Sequence, residues 1–205
     1  MTARRIVLWR HGQTIWNIEK RFQGQSDIPL DDVGVQQAER AARLLAALRP
    51  HMIVSSDLQR ATGTAAPLSR ITGLQVTTDK DLRERSGGLW EGLNDAEIRE
   101  RFPVEHASWS PPEGEPTAMV AERVCGALER VAALLPSDGL AVVVSHGAAI
   151  RLGMARLLGM PEELWGVFGP LANCAWSLIG TGRSRWRVLE HNAGTLPEPV
   201  LGDDR

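Results

Sequence analysis

The stretch RIVLWRHG, residues 5–12, decides how the rest of the sequence is interpreted. Its central apolar run is typical of a strand buried on both faces, yet this strand ends in Arg10 and His11. A second stretch, LAVVVSHG at residues 140–147, repeats the pattern and ends at His146. Two buried strands that both end in histidine and glycine indicate two halves of one site.

Short apolar runs alternate with longer amphipathic segments along the chain. The predicted strands are residues 6–9, 52–55, 74–77, 141–145, 175–179 and 186–190. The predicted helices are residues 33–48, 59–71, 95–102, 118–135 and 148–158. Because strands that alternate with helices form parallel sheets covered on both faces, we predict an α/β fold. Its expected architecture is a three-layer α/β/α sandwich with a mostly parallel central sheet.

The length and composition favour one domain. With 205 residues and 43% hydrophobic content, the chain can bury one sizeable core, so we expect a single domain over residues 1–205. Proline and glycine around residues 104–117 indicate an inserted flap. The polar segment at residues 194–205 indicates a flexible tail.

Charge and hydropathy argue against several partner classes. The net charge is −2 with acids and bases interspersed, which is unlike the basic surface of a nucleic-acid-binding protein. No apolar stretch is long enough to cross a bilayer, and the first residues lack the features of a signal peptide. Cys125 and Cys174 are far apart and suggest reduced thiols. We therefore expect a cytoplasmic protein that binds neither membranes nor nucleic acids.

Charged side chains gather at one predicted edge of the sheet. Arg10 and His11 follow the first strand, Arg60 follows the second at a helix start, and His146 follows a later strand. Ligands of open α/β sheets bind beyond the carboxyl ends of the strands, and guanidinium groups match phosphate. Positive neighbours lower the pKa of a histidine, and a neutral imidazole can attack phosphorus. A leaving alkoxide needs a proton, for which Glu84 and Glu91 are the candidates.

Five stretches in this order resemble the histidine phosphatase superfamily, in the branch that contains cofactor-dependent phosphoglycerate mutases and small-molecule phosphatases. They lie between residues 8 and 151 and read LWRHGQTIWN, RFQGQSDIPLDDVGVQQA, IVSSDLQRATGTA, LRERSGGLWEGL and VVSHGAAIR. The resemblance implies the phosphoglycerate mutase-like fold and a phosphomonoester substrate.

The resemblance also implies roles for individual residues. His11 is similar to the phosphorylated nucleophile of the family, and Glu84, which we prefer to Glu91, is similar to its proton donor. The remaining positions are similar to the phosphate pocket or the substrate entrance, and they are Arg10, Asn17, Gln23, Gly24, Arg60, Arg85, His146 and Gly147. Arg85 falls where mutases bind a substrate carboxylate, so the substrate is expected to be acidic. The implied mechanism needs no metal and no cofactor, because arginines supply the positive charge.

Several functions remain open at this point. A short link between residues 90 and 118 and a short C-terminal part favour a phosphatase over a phosphoglycerate mutase. A non-catalytic phosphate sensor would not need Glu84, and a metallohydrolase built on His11 and His146 would need Asp-rich ligand spacing, which the sequence lacks.

The C-terminal stretches LANCAWSLI and RWRVLEHNAG resemble actinobacterial phosphatases that act on glucosyl-3-phosphoglycerate. Pro116 departs from that group, in which serine is usual, so a broader sugar-phosphate or acid-phosphate specificity is the other candidate. The expected partner is a small phosphorylated metabolite, and the resemblance allows for a homodimer.

Overall fold

The computed structural model describes residues 3–182 and 185–194. Within these residues, the strands are β1 (Arg5–Arg10), β2 (Met52–Ser55), β3 (Val76–Thr78), β4 (Leu140–Ser145), β5 (Trp176–Thr181) and β6 (Trp186–Ala193). The α-helices are α1 (Ile15–Ile18), α2 (Asp32–Ala47), α3 (Gln59–Thr72), α4 (Asp95–Arg101), α5 (Pro103–Ala107), α6 (Thr117–Leu134) and α7 (Gly147–Leu157). Short 3-10 turns occur at Lys80–Leu82, Gly88–Trp90 and Glu162–Val167.

The strands form one sheet in the order β3-β2-β4-β1-β5-β6. The pairs β2–β3, β2–β4 and β1–β4 are parallel, whereas β5 runs antiparallel to both β1 and β6. The predicted mostly parallel sheet is therefore confirmed, with an antiparallel pair at one edge. That pair follows from the short connection between β5 and β6, since parallel neighbours need a long crossover.

Helices cover both faces of the sheet, as predicted. Successive side chains of β1 alternate between two hydrophobic clusters, because side chains of a strand point to opposite faces. Ile6 and Leu8 pack with residues of α6 and α7, whereas Val7 and Trp9 pack with residues of α2 and α3. All four are fully buried or nearly so. Complete burial of such a side chain stabilises the fold by about 1.5–3 kcal/mol.

The parallel pairing of β1 with β4 places the site. Arg10 is the register partner of Ser145, so both strands end at the same level. The amide of His11 donates to the carbonyl of Ser145 at 3.0 Å, which continues this pairing beyond the strands. At Gly12 a Cβ atom would lie 2.6 Å from the carbonyl oxygen of Gly34 in α2. Glycine is therefore required there, because the chain after β1 touches the backbone of α2.

The predicted elements differ from the structure mainly at their ends and in short helices. The third strand was expected over residues 74–77; in the structure it covers Val76–Thr78, so it starts two residues later and ends one residue later. Helices α1 and α5 and the turn Glu162–Val167 were not predicted, since helices this short carry too few residues to show a period. The predicted tail lies outside the described residues from residue 195 onward. Among the described helices, none has the length and apolar character needed to span a membrane.

Candidate active site

Arg10, His11, Arg60 and His146, predicted from separate parts of the sequence, lie together at the carboxyl ends of β1, β2 and β4. The ring centroids of His11 and His146 are 5.2 Å apart. All four side chains are buried, with relative exposures between 0% and 3%. Two guanidinium groups and two imidazoles enclosed in this way form a site for an anion of the size of a phosphoryl group.

His11 presents one ring nitrogen to the site. Its Nδ1 lies 2.7 Å from the carbonyl oxygen of Gly12, which can only accept, so Nδ1 carries a proton. Burial, then Arg60, then Arg10, lower the pKa of His11 well below its usual value of 6.5. The neutral ring therefore has its lone pair on Nε2, which is the atom that can attack phosphorus.

His146 is held at both ring nitrogens. Its Nδ1 accepts from Nε of Arg60 at 3.2 Å, and its Nε2 lies 2.9 Å from Oγ of Ser56. Burial is the largest cause that lowers the pKa of His146, followed by Arg60, His11, Arg10 and Arg123. The ring is consequently neutral and oriented, with the proton on Nε2 shared with Ser56.

A loop after α1 orients Arg60. The guanidinium donates to the carbonyl oxygens of Ser26 and Gly24, each at 2.7 Å. Glu91 holds this loop by accepting from the amides of Gln25 and Ser26, both at 2.9 Å. Gly24 has a positive φ of 50°, and a Cβ there would lie 2.1 Å from the Glu91 carboxylate. Glu91 is therefore a structural support of the loop, which leaves Glu84 as the candidate proton donor.

The side chain of Asn17 is buried and held through its amide oxygen. Its Oδ1 accepts from the backbone amide of Thr14 at 3.1 Å and from Nδ2 of Asn173 at 3.2 Å. Its Nδ2 is buried and has no hydrogen-bond partner among the described residues. Because both acceptor contacts orient the amide, Nδ2 is left to donate to a ligand oxygen. Asn173 also donates to the carbonyl of His11 at 3.2 Å, so it supports two site residues together.

Glu84 lies at the N-terminus of α7. Its carboxylate accepts from the amides of Arg85 at 2.8 Å, Ala149 at 3.0 Å and Ala148 at 3.1 Å. Three backbone donors at a helix N-terminus hold a carboxylate in one position. Gly147 is the first residue of this helix and is buried beside His146, so Glu84 is anchored to the same helix start as the second histidine.

The loop that carries Glu84 is held by Arg123 of α6, which the sequence analysis missed. Arg123 donates to the carbonyl oxygens of Asp81, Arg83 and Glu84 at 2.7, 2.6 and 3.0 Å. Its other donors form a pair of 2.7 Å hydrogen bonds with the carboxylate of Glu115. Arg123 lies about 40 residues after the loop that it holds. Because its partners are backbone carbonyls, no local sequence pattern marks this role.

A cavity of about 350 Å³ opens next to this pocket. Its lining residues come from both sides of the site and are Phe22, Gly24, Glu84, Arg85, Trp109, Thr117, Ala148, Arg151, Leu152, Glu162, Trp165 and Gly166. Gly24, predicted at the substrate entrance, lines this cavity together with Glu84, the predicted proton donor, and Arg85, predicted to bind a substrate carboxylate. Gln23 does not line this cavity. It is buried, and neither amide atom has a hydrogen-bond partner in the described part of the chain.

The other three histidines have structural partners. His51 accepts from the amide of Leu140 at 3.2 Å, His106 pairs with Asp95 at 2.9 Å, and His191 contacts Ser177 at 2.9 Å. Among residues 3–182 and 185–194, no three histidine, cysteine or acidic side chains come together as a metal site would require.

The sequence and the structure both match known proteins over almost the whole chain. Residues 6–194 match the model of the histidine phosphatase superfamily, branch 1. The glucosyl-3-phosphoglycerate phosphatase of Mycobacterium tuberculosis is 40% identical over 94% of this chain and 96% of its own length. A probable phosphoglycerate mutase of Yersinia pestis is 34% identical over 88% of this chain and 86% of its own length.

Among solved structures, a mycobacterial glucosyl-3-phosphoglycerate phosphatase in complex with VO3 aligns with a TM-score of 0.88 and 38% identity. The alignment covers 93% of this chain and 100% of that one.

Proposed function

The chain belongs to branch 1 of the histidine phosphatase superfamily, and from this premise we propose that it hydrolyses small phosphomonoesters through a phosphohistidine on His11. One observation carries the proposal. Nδ1 of His11 is bound to the Gly12 carbonyl, so Nε2 is unprotonated in a pocket formed by Arg10, Arg60 and His146.

In the first transfer, Nε2 of His11 attacks phosphorus and the bond from phosphorus to the ester oxygen breaks. Negative charge accumulates on the phosphoryl and leaving oxygens, and the guanidiniums of Arg10 and Arg60 stabilise it. Nδ2 of Asn17, buried without a partner among the described residues, donates to a phosphoryl oxygen. These donors are already oriented, so little reorganisation is needed during the reaction.

Glu84 supplies the proton that the departing oxygen needs. In its protonated form it donates to the leaving oxygen, and the leaving group departs as a neutral alcohol. In the second transfer, Glu84 as a carboxylate takes a proton from water, and the oxygen of that water attacks phosphorus. The bond to Nε2 of His11 breaks, and inorganic phosphate and protonated Glu84 are formed. The position of Glu84 at the edge of the 350 Å³ cavity supports this role.

The substrate class proposed is a sugar phosphate or sugar-acid phosphate, with glucosyl-3-phosphoglycerate as the first candidate. Its support is the 40% identity with the mycobacterial phosphatase and the presence of Arg85 in the cavity wall. A phosphoglycerate mutase is the second candidate, because a probable mutase is 34% identical to this chain. The two differ only in whether water or a second sugar acid accepts the phosphoryl group from His11.

Four further expectations belong to the proposal. The reaction proceeds without a metal ion or cofactor, since the arginines supply the positive charge. The enzyme acts in the cytoplasm, in keeping with two buried cysteines that form no disulfide among the described residues. Residues 104–117 act as a flap, which Trp109 and Thr117 in the cavity wall support. The enzyme binds neither nucleic acid nor membranes, and it can form a homodimer.

The test is a panel of phosphomonoesters with released phosphate as the readout. It includes p-nitrophenyl phosphate, 3-phosphoglycerate, glucosyl-3-phosphoglycerate and nucleotides, each measured with and without EDTA. We expect hydrolysis that EDTA does not change, and radiolabelled phosphate on His11 after quenching in base, in which phosphohistidine persists.

The matched control is His51→Ala, which removes an exposed histidine outside the site and should keep full activity. Loss of activity on chelation would contradict the metal-independent mechanism. Conversion of 3-phosphoglycerate to its 2-isomer without phosphate release would establish the mutase instead.

A further inference from the structure

The cavity beside Glu84 has the position of a leaving-group site. Its wall includes Gly24, whose carbonyl accepts from Arg60, and Glu84, which accepts from the amide of Ala148 next to the start of α7. The two buried histidines do not line it. A phosphomonoester bound at His11 must direct its ester oxygen toward Glu84, so the rest of the molecule enters this cavity. A volume of about 350 Å³ lies within the usual range of small-molecule sites, roughly 300–1,000 Å³.

One part of the wall is cationic. Arg85 is buried and donates to the carbonyls of Glu115 at 2.7 Å and Trp109 at 3.4 Å. These hydrogen-bond acceptors are neutral, and the carboxylates of Glu84 and Glu115 attract the guanidinium from nearby. Arg151 of α7 is three residues after Ala148, so both lie on the helix face that lines the cavity. Two guanidiniums in one small cavity match a carboxylate.

Another part of the wall is aromatic. Trp165 lines the cavity from the 3-10 turn Glu162–Val167, and its Nε1 donates to the carbonyl of Met160 at 3.0 Å, which holds the indole in place. Trp109 has a positive φ of 49°, and its ring packs edge-on against Trp90 at 5.1 Å. Indole faces pack well against the C–H faces of sugar rings, and the exposed carboxylate of Glu162 beside them can accept from hydroxyl groups.

We propose that this cavity binds a leaving group in which a carboxylate is joined to a sugar ring, with Arg151 and Arg85 binding the carboxylate and Trp165 and Glu162 binding the sugar. The inference rests on the proposed phosphatase function and adds the residues that determine specificity. Arg151, Glu162 and Trp165 become specificity-determining residues of the site.

The experiment compares four phosphomonoesters in which the carboxylate and the sugar are each present or absent. Glycerol 3-phosphate has neither group, 3-phosphoglycerate has the carboxylate, glucosylglycerol 3-phosphate has the sugar, and glucosyl-3-phosphoglycerate has both. For the wild-type enzyme we expect kcat/KM to rise with each group and to be highest when both are present.

Two variants assign the groups to residues. Arg151→Gln should lower kcat/KM for the two carboxylate substrates about tenfold more than for the other two, as expected for the loss of a charged hydrogen bond. Trp165→Ala should lower kcat/KM for the two glucosylated substrates about tenfold more than for the others. The matched controls are Arg156→Gln on the same helix and Leu164→Ala in the same turn, two exposed residues outside the cavity wall, and both should retain the wild-type pattern.

The outcomes separate this inference from the proposed function. If the wild-type enzyme hydrolyses neither these substrates nor p-nitrophenyl phosphate, the phosphatase function itself is wrong. If it hydrolyses p-nitrophenyl phosphate but kcat/KM is the same for all four substrates, the leaving-group site alone is wrong. Equal losses on all four substrates for either variant, with an unchanged melting temperature, would also overturn it, as would a higher kcat/KM for nucleoside monophosphates.

Discussion

The two strand ends that carry histidine look alike in sequence but differ in the bonds of their rings. His11 has one ring nitrogen bound to the Gly12 carbonyl, and no described residue forms a hydrogen bond with its other nitrogen. His146 has both ring nitrogens engaged, one by Arg60 and one by Ser56. Both rings are buried, and the pKa of each is lowered chiefly by burial. The difference teaches that the hydrogen-bond partners of the two rings, rather than their burial or charge, distinguish the proposed nucleophile from the second histidine.

The largest expected effect tests this difference directly. His11→Ala removes the attacking atom, so kcat should fall at least about 10⁴-fold and no phosphoenzyme should form. His146→Ala removes one group beside the phosphoryl oxygens, so kcat should fall about 10²–10³-fold while labelled phosphoenzyme still forms. Rapid-quench labelling and steady-state kinetics measure both. A labelled His11→Ala variant would show that the roles of the two histidines are assigned wrongly.

The second effect concerns the loop that brings Glu84 to the His146 side of the site. Arg123→Met leaves three loop carbonyls and Glu115 without their donor, and should cost about 3 kcal/mol of unfolding free energy. Displacement of Glu84 should lower kcat about 10²-fold.

The control for Arg123→Met is Arg130→Met on the same helix, whose exposed pairs with Asp79 and Asp81 should contribute less than about 1 kcal/mol. Urea denaturation and kinetics provide the measurements. Similar behaviour of the two variants would mean that Arg123 is an ordinary surface cation.

A smaller effect distinguishes Asn173, which contacts the His11 backbone, from Ser56, which contacts the His146 ring. Asn173→Ala removes donors to the His11 carbonyl and to Asn17, so KM should rise about tenfold through a misplaced Asn17. Ser56→Ala removes the partner of His146 Nε2 and a 3.4 Å acceptor of the Leu58 amide, and should change the acid side of the pH profile more than KM. Measurement of kcat and KM from pH 5 to 8 separates them. An identical pH profile and KM for both variants would argue against separate supports.

The smallest effect is on stability as a function of pH. Because both histidines have a pKa well below 6.5 in the folded protein, the unfolded chain binds more protons once the pH falls below 6.5. Stability should therefore be full above 6.5 and decrease toward pH 5, and the loss should be smaller in His11→Ala. The pKa values of Asp57 and Asp95 are lowered from 3.8, so their effect comes at more acidic pH. Melting temperatures measured across this pH range test the prediction. If the melting temperature of His11→Ala changed with pH as steeply as that of the wild type, the burial of a neutral His11 ring would be contradicted.

Much of the fold could be predicted because its signals are local. The apolar runs at β1, β2 and β4 and the helical spacing of α2 and α6 follow from which faces each element must bury. The antiparallel edge strands and the short turn Glu162–Val167 could not be assigned in this way. Strand direction depends on where the chain returns to the sheet, and a turn of six residues is too short to show a period.

The sequence by itself determined which chemical groups reach the carboxyl edge of the sheet, because Arg10, His11, Arg60 and His146 each follow a recognisable strand or begin a helix. Through the resemblance it also predicted Glu84 and Asn17 as members of the site. Only the tertiary structure decided which histidine has an available nitrogen, and that Asn173 and Arg123 support the site. Those assignments depend on backbone carbonyls and side chains brought together from distant parts of the chain, for which one sequence carries no local pattern.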